Sequence, residues 1–274
     1  MENLENNRKK IIDLFSQYTR EDTMIAFSGG VDSSLLLKLA CEQATKNGTK
    51  VYAYTIHTML HPMEELEITE RITKEMGAIH RVIQVDELAE AGIENNPENR
   101  CYLCKKCMFG KLKEEAKAQG ISRIIEGTNL DDTKEYRPGI AALKELGITS
   151  PLLLAEFTKA DVRSLAKKLG ISVSNRPSSP CMATRFPYNT LLDREQLKKV
   201  EKIEQHIKNL GFYNVRARIH DSLVRIEVDE REIEKLVNEK KNLICFIKQL
   251  GFYYISIDLE GFRSGSQDIK MNRE

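Results

Sequence analysis

The sequence has almost no net charge. Its 42 Lys and Arg stand against 41 Asp and Glu in 274 residues, a formal +1. With no bulk field and no dense Lys/Arg arm, affinity for a polyanion has to come from a local basic site, which argues against the extended basic surface of a tRNA-binding protein. No stretch approaches the roughly 18 apolar residues of a membrane span, and the opening segment MENLENNRKKIIDLF lacks the apolar core of a secretory signal. These absences predict a cytoplasmic protein with no membrane partner. In such a reducing compartment, clustered thiols favour metal binding or catalysis over disulfides. The length suffices for one large or two modest domains, and 41% hydrophobic with 30% charged residues is an ordinary globular composition.

The first motif spans residues 24 to 40. Met24-Ile25-Ala26-Phe27 is a short apolar run, followed at once by Ser28-Gly29-Gly30-Val31-Asp32-Ser33-Ser34 and then by the helix-like Leu35-Leu36-Leu37-Lys38-Leu39-Ala40. In a strand, glycine turn, helix arrangement, the glycines let backbone approach an oxyanion and the free N–H groups of the helix start face it, so a phosphate or pyrophosphate is the natural occupant. Ser28, Ser33 and Ser34 add hydroxyl donors. Asp32 would repel a bare phosphate, and is expected either to orient backbone groups or to hold Mg²⁺. A Walker A loop is excluded, because its Gly-Lys-Ser/Thr ending is missing.

Strand-like runs follow at Val51–Ile56, Ala78–Val85 and Arg123–Glu126, with helix-like segments at Glu64–Met76, Lys105–Gln119 and Lys159–Leu169. This alternation predicts an α/β fold, a parallel sheet with helices on both faces and a ligand site beyond the carboxyl ends of the strands. Gly127-Thr128-Asn129-Leu130-Asp131-Asp132 should reach that edge, with Asp131 and Asp132 either capping the next element or coordinating Mg²⁺.

Six cysteines are present. Cys101, Cys104 and Cys107 form a CxxCxxC run after the turn-rich Asn95-Asn96-Pro97-Glu98-Asn99, while Cys181 lies in the proline-flanked PSSPCMATRFPY segment, expected to be a shaped loop. Thiolates at this spacing suit soft metals, either an iron–sulfur cluster or a structural zinc with a fourth ligand. Lys105 and Lys106 are expected to depress the thiol pKa values. Cys41 and Cys245 read as small apolar packers. His57, His61 and His80 show no ligand-pair spacing.

SGGVDSS after an apolar strand resembles the signature of the PP-loop ATP pyrophosphatases, which split ATP into AMP and pyrophosphate to adenylate a substrate oxygen. Together with the CxxC, PSSPCMATRFPY, Glu135-Tyr136-Arg137-Pro138-Gly139, Val215-Arg216-Ala217-Arg218-Ile219-His220 and the tail Gly261-Phe262-Arg263-Ser264-Gly265, it resembles most closely the ATP-dependent sulfur transferases of nickel-pincer nucleotide biosynthesis (LarE-type). The resemblance implies ATP and Mg²⁺ at Ser28, Gly29, Gly30, Asp32, Ser33, Ser34, Gly127 and Asn129. It also implies adenylation of a carboxylate of a pyridinium mononucleotide dicarboxylate, followed by sulfur transfer to give a thiocarboxylate.

Arg216 and Arg218 alternate onto one strand face and, with Arg185, are expected to hold the substrate phosphate. Glu204 and Glu227 fall where the family places acidic residues near metal or substrate. Two sulfur strategies occur in the family: a sacrificial cysteine, or a [4Fe–4S] cluster on three cysteines with one iron left for sulfide. Cys101, Cys104 and Cys181 match the second, with Asp32 and Cys181 in the chemistry. Cys107 is additional, so Cys101, Cys104 and Cys107 as ligands with Cys181 as donor remains an alternative. A sulfide source, a nickel-insertion partner of the same pathway and homo-oligomers are the implied partners.

The expected division is a PP-loop domain over residues 1–190 and a smaller α+β domain over 191–274. Within the latter, Ile207-Lys208-Asn209-Leu210-Gly211-Phe212-Tyr213 recurs as Ile247-Lys248-Gln249-Leu250-Gly251-Phe252-Tyr253, each copy closing a helix and opening a strand. Helix-like Leu197–Leu210 and Ile233–Leu250 and strand-like Val215–His220, Leu223–Val228 and Tyr253–Leu259 give two related αβ units. The alternatives are a PP-loop tRNA thiolase and a zinc-stapled nucleotide-binding regulatory protein without turnover.

Overall fold

Apolar side chains alternate across three of the four strands of the first sheet, so each of these feeds two cores. The computed structural model describes residues 2–134, 137–176 and 181–263, which fall into two compact units, one comprising 1–93 with 99–179 and the other 94–98 with 180–274. Glu135, Tyr136, residues 177–180, Ser264 and Gly265 of the motifs above lie outside the described residues.

The first unit runs α1 (Glu2–Tyr18), β1 (Thr23–Ala26), α2 (Val31–Asn47), β2 (Val51–His57), α3 (Met63–Met76), β3 (Ile79–Gln84), α4 (Glu87–Glu90), α5 (Arg100–Ala118), β4 (Ile124–Ile125), α6 (Gly139–Glu145), α7 (Pro151–Leu154) and α8 (Lys159–Lys168). The strands form one parallel sheet in the order β3-β2-β1-β4. Ile25, Val51, Ala53 and Ile125 pack on one face with Phe15, the Leu35–Leu37 run and Phe157, while Met24, Tyr54 and Ile124 pack on the other with Phe109 and Leu112. Helices therefore cover both faces, as such buried parallel strands require.

Strand order reverses at β1. The chain winds outward through β2 and β3, then returns to place β4 on the other side of β1, and the crevice beyond the carboxyl ends of these two strands is where such sheets bind ligands. α2 starts there and ends in Gly48, whose left-handed N–H bonds the Ala44 carbonyl. α8 starts at the same edge under a capping box between Thr158 and Asp161.

The second unit contains α9 (Arg194–Asn209), β5 (Val215–His220), β6 (Leu223–Val228), α10 (Ile233–Asn238), α11 (Lys240–Gln249) and β7 (Tyr254–Ile257). β6 lies at the centre of its sheet, antiparallel to β5 and parallel to β7. The sequence echo is spatial as well. His206 and Phe246, which stand at the same place before their glycines, stack with centroids 4.0 Å apart. Each repeated phenylalanine is covered by a lysine from outside its own copy: Lys235 over Phe212 and Lys199 over Phe252.

Several expected boundaries move. α5 begins at Arg100, not Lys105, so all three clustered cysteines are helical. The expected helix over 233–250 breaks at Glu239 into α10 and α11. Among the described residues, no helix is long and apolar enough to cross a membrane.

Leu36 is fully buried between α2 and the sheet. Leu36→Ala is expected to cost about 2–5 kcal/mol of stability, read from urea denaturation; a loss below about 1 kcal/mol would contradict this packing.

Candidate functional site

At the edge beyond β1, Gly29 adopts φ +71°, which permits the turn into α2, and its backbone stands close enough to α3 that a Cβ would lie 3.0 Å from Thr69 Cγ2. Ser33 Oγ accepts from the Ser28 amide at 3.3 Å and lies 3.2 Å from both Ser28 Oγ and the Gly30 carbonyl. Ser34 is fully buried, and its hydroxyl has no partner among the described residues. Asp32 occupies the first turn of α2, where the helix dipole favours a carboxylate. Asn129 Nδ2 donates to it at 3.2 Å, and Lys159 Nζ forms a salt bridge with its other oxygen.

The turn after β4 is built around buried Glu126, whose carboxylate accepts the Thr128 amide at 3.0 Å, the Thr128 hydroxyl at 2.8 Å and the Ser150 hydroxyl. Gly127 backs directly onto Asp32 and Ser33. Asp132 accepts the Asn129 amide at 2.9 Å, while Asp131 accepts the Lys159 amide at 2.8 Å and pairs with Lys134. Of the two roles open to Asp131 and Asp132, these bonds are those of turn and helix-start caps. Lys134 and the Lys159 amide hold the Asp131 carboxyl below its ordinary pKa.

Lys159 is the residue that sequence reasoning missed. Its place at the first position of a helix opening on the strand edge was legible from the Thr158/Asp161 box; its ion pair with Asp32, 127 residues away, was not.

On α5, Cys101 is exposed and Cys104 and Cys107 are half-buried, all as free thiols. In a helix, three-residue steps turn by about 60° and rise about 4.5 Å, so the first and last thiols diverge. Among the described residues, no three metal-capable side chains are gathered. Cys104 donates to the buried carboxylate of Glu87 at 3.3 Å. At Cys107 the expected lysine effect is overturned, since Lys106 is bonded to Tyr102 and Glu145, and Lys105 runs past Gly139 and over the Phe109 ring. Burial, followed by Glu90, pushes the Cys107 thiol up, with Lys111 only partly opposing. Cys41 packs against the core and is pushed to about 11 by burial. Cys245 is exposed, so the packing role expected for it is corrected.

In the second unit, three arginines meet two buried glutamates. Arg185 Nε and Nη2 bond both oxygens of Glu204 at 2.8 and 2.9 Å, and Arg218 Nε and Nη2 bond both oxygens of Glu227 at 3.0 and 3.1 Å. Glu204 also accepts the Ala217 amide at 2.9 Å, and Arg185 Nη1 reaches the Cys181 carbonyl at 3.3 Å. The Cys181 segment is thereby tied to α9 and β5. Arg216 donates to the Val215 carbonyl at 2.6 Å and lies over the Phe262 ring. Burial, then the neighbouring Arg185, lowers Arg216 to about 10, still charged at neutral pH.

Burial alone would raise Glu204, but Arg185, Arg216 and the Ala217 amide together outweigh it and hold the carboxyl below its ordinary value. The stabilisation is therefore complete above a pH of about 4.3 and lost as pH falls through the folded value. Glu204→Gln is expected to cost about 3–5 kcal/mol near neutrality, with the gap to wild type closing on acidification. Denaturation midpoints at stepped pH check this; a gap that stays constant to low pH would refute it.

The family model of the PP-loop domain matches residues 3–137. An uncharacterised protein of Synechocystis is 36% identical over 272 residues, 98% of each chain. The pyridinium-3,5-bisthiocarboxylic acid mononucleotide synthase of Lactiplantibacillus plantarum is 35% identical over 241 residues, 88% of this chain and 87% of the synthase. A tRNA-specific 2-thiouridylase of Rickettsia bellii is 25% identical over 64% of this chain and 58% of its own length. The PP-loop match over residues 3–137, with a likeness to the synthase over 88% of the chain, makes this chain a member of the family of PP-loop, ATP-dependent sulfur-transferring enzymes to which the Lactiplantibacillus synthase belongs.

Proposed function

We propose that the protein adenylates a carboxylate of pyridinium-3,5-biscarboxylic acid mononucleotide and replaces one of its oxygens with sulfur. The observation that carries this reading is the Asp32, Asn129 and Lys159 constellation at the edge where strand order reverses, joined to similarity over most of the chain to a synthase of that bisthiocarboxylate. The N–H groups of the Ser28–Gly30 turn and the α2 start bind the ATP phosphates. Mg²⁺ is bound mainly by phosphates and water, needing only one or two protein carboxylates, and Asp32 fits that part. Lys159 is placed to take the charge that develops as pyrophosphate departs.

A carboxylate oxygen of the substrate attacks the α-phosphorus, the bond to the β-phosphate bridge breaks, and pyrophosphate leaves. A sulfur nucleophile then attacks the carbonyl carbon of the acyl-adenylate and AMP departs with the C–O electron pair, leaving a thiocarboxylate. Arg185, Arg216 and Arg218 hold the substrate's phosphate.

Free cysteine thiols are the donors that an iron–sulfur cluster takes, and the reading assigns Cys101, Cys104 and Cys181 as its ligands. Such a cluster with one open iron would supply renewable sulfide. The alternative assigns ligation to Cys101, Cys104 and Cys107 and sulfur donation to Cys181. An external sulfide source, a nickel-inserting partner, a cytoplasmic setting and a homo-oligomer complete the reading.

Lys159→Ala is expected to lower substrate-dependent pyrophosphate release by about a hundredfold or more, and a loss below about threefold would remove Lys159 from the mechanism. On anaerobically purified protein, roughly four irons per chain are expected. Cys101→Ser, Cys104→Ser and Cys181→Ser should each lose them, while Cys107→Ser should not. Retention of iron by the Cys181 variant, with loss by the Cys107 variant, selects the alternative ligand set, and zinc without iron refutes both.

A further inference from the structure

The tail Gly261-Phe262-Arg263 folds back onto β6. The Phe262 amide donates to the Val228 carbonyl at 2.7 Å, and Arg263 pairs with Glu260 at 2.7 Å and Asp258 at 3.7 Å. Gly261 makes this return possible: its φ is +68°, and a Cβ there would stand 2.8 Å from the Val228 carbonyl and 2.9 Å from the Glu230 nitrogen. The return carries the Phe262 ring to 4.9 Å from the Arg216 guanidinium.

The three buried arginines of this unit are not electrostatically equal. Arg185 and Arg218 each face both oxygens of a buried glutamate, so much of their charge is cancelled on the spot, although Glu227 also bonds Arg225 at 3.2 Å. Arg216 is 8% exposed and bonds the Val215 carbonyl beneath the aromatic ring; Glu204 and its cross-strand neighbour Glu227 act on it electrostatically, but among the described residues no carboxylate forms a salt bridge to it. A ring face attracts a guanidinium through its quadrupole but does not neutralise it. A buried cation whose neighbouring carboxylates are already bonded to other guanidiniums is only partly compensated, and an incoming anion recovers the remaining cost. A carboxylate in place of the ring would instead compete with that anion.

We propose that Phe262 is a positioning residue for the substrate's anionic group, holding Arg216 in one orientation and leaving its charge available to a phosphate. This rests on the reading of Arg216 as a phosphate receptor. It adds that the tail motif serves that receptor, and that Arg216 carries more of the recognition than Arg185 or Arg218.

The test uses inorganic phosphate as probe, titrated calorimetrically into the full chain with Mg²⁺ and a non-hydrolysable ATP analogue already bound. Phe262→Leu is expected to weaken phosphate about tenfold, with analogue affinity and Tm close to wild type, whereas Phe262→Tyr stays within about twofold because it keeps the ring. Phe262→Met replaces the leucine variant should that one not fold. Wild-type phosphate affinity in the ringless variants, or an equal loss in the tyrosine variant, overturns the proposal. Arg216→Gln separates the two claims. If it abolishes phosphate binding while Phe262→Leu does not, the receptor stands and the positioning role falls. If it leaves binding unchanged, or if the wild-type chain binds no phosphate, the receptor reading fails and takes the proposal with it.

Discussion

Parallel pairing of β4 beside β1 is the constraint on which the proposed nucleotide edge depends. Met24 and Ile25 are in register with Ile124 and Ile125, so the turns after both strands emerge side by side although a hundred residues separate them in sequence. Only this adjacency lets Asn129 reach Asp32, and only the return of the chain through α8 lets Lys159 reach it from the other side. The carboxylate is thus oriented by two donors from distant segments before any ligand arrives. Such preorganisation is where an adenylating site gains most, because donors already in place need not reorganise as charge develops.

The second unit solves a different problem with the same groups. Three buried guanidiniums are tolerated because two are satisfied bidentately by glutamates on neighbouring elements, with Glu204 coming from α9 and Glu227 from β6. The third is bonded to a carbonyl and lies under a ring, with the two glutamates acting on it without a salt bridge among the described residues. This leaves a surplus of positive charge in a largely desolvated place, where a bound anion interacts far more strongly than at an exposed surface. A balanced overall composition and a strongly biased local site are therefore compatible.

What could be read from the sequence followed the reach of each signal. The strand, glycine turn and helix at residues 23–47 are local, and their residue types admit few other readings. The alternation of β2, α3, β3, β4 and α8 was equally clear. The start of α5 was misjudged because the turn-rich Asn95–Asn99 run suggested a loop extending through the cysteines, whereas packing extends the helix back to Arg100. The break at Glu239 falls in the polar run Asn238-Glu239-Lys240-Lys241-Asn242, where the apolar spacing lapses between Val237 and Leu243. Arg216 and Arg218 were visible as a pair on one strand face, but their different neutralisation depends on Glu227 and Phe262. Tertiary placement supplies both partners, and strand periodicity is silent on it.

The central claim is that a carboxylate oxygen becomes bound to phosphorus before sulfur arrives. Substrate carrying ¹⁸O in its carboxylates, turned over with ATP, Mg²⁺ and a sulfide source, tests this directly by mass spectrometry of the released nucleotide. Adenylation predicts AMP that carries a single ¹⁸O from the substrate and pyrophosphate that carries none. Unlabelled AMP alongside thiocarboxylate product would contradict the account, because the oxygen would then have left by a route that does not pass through the α-phosphate.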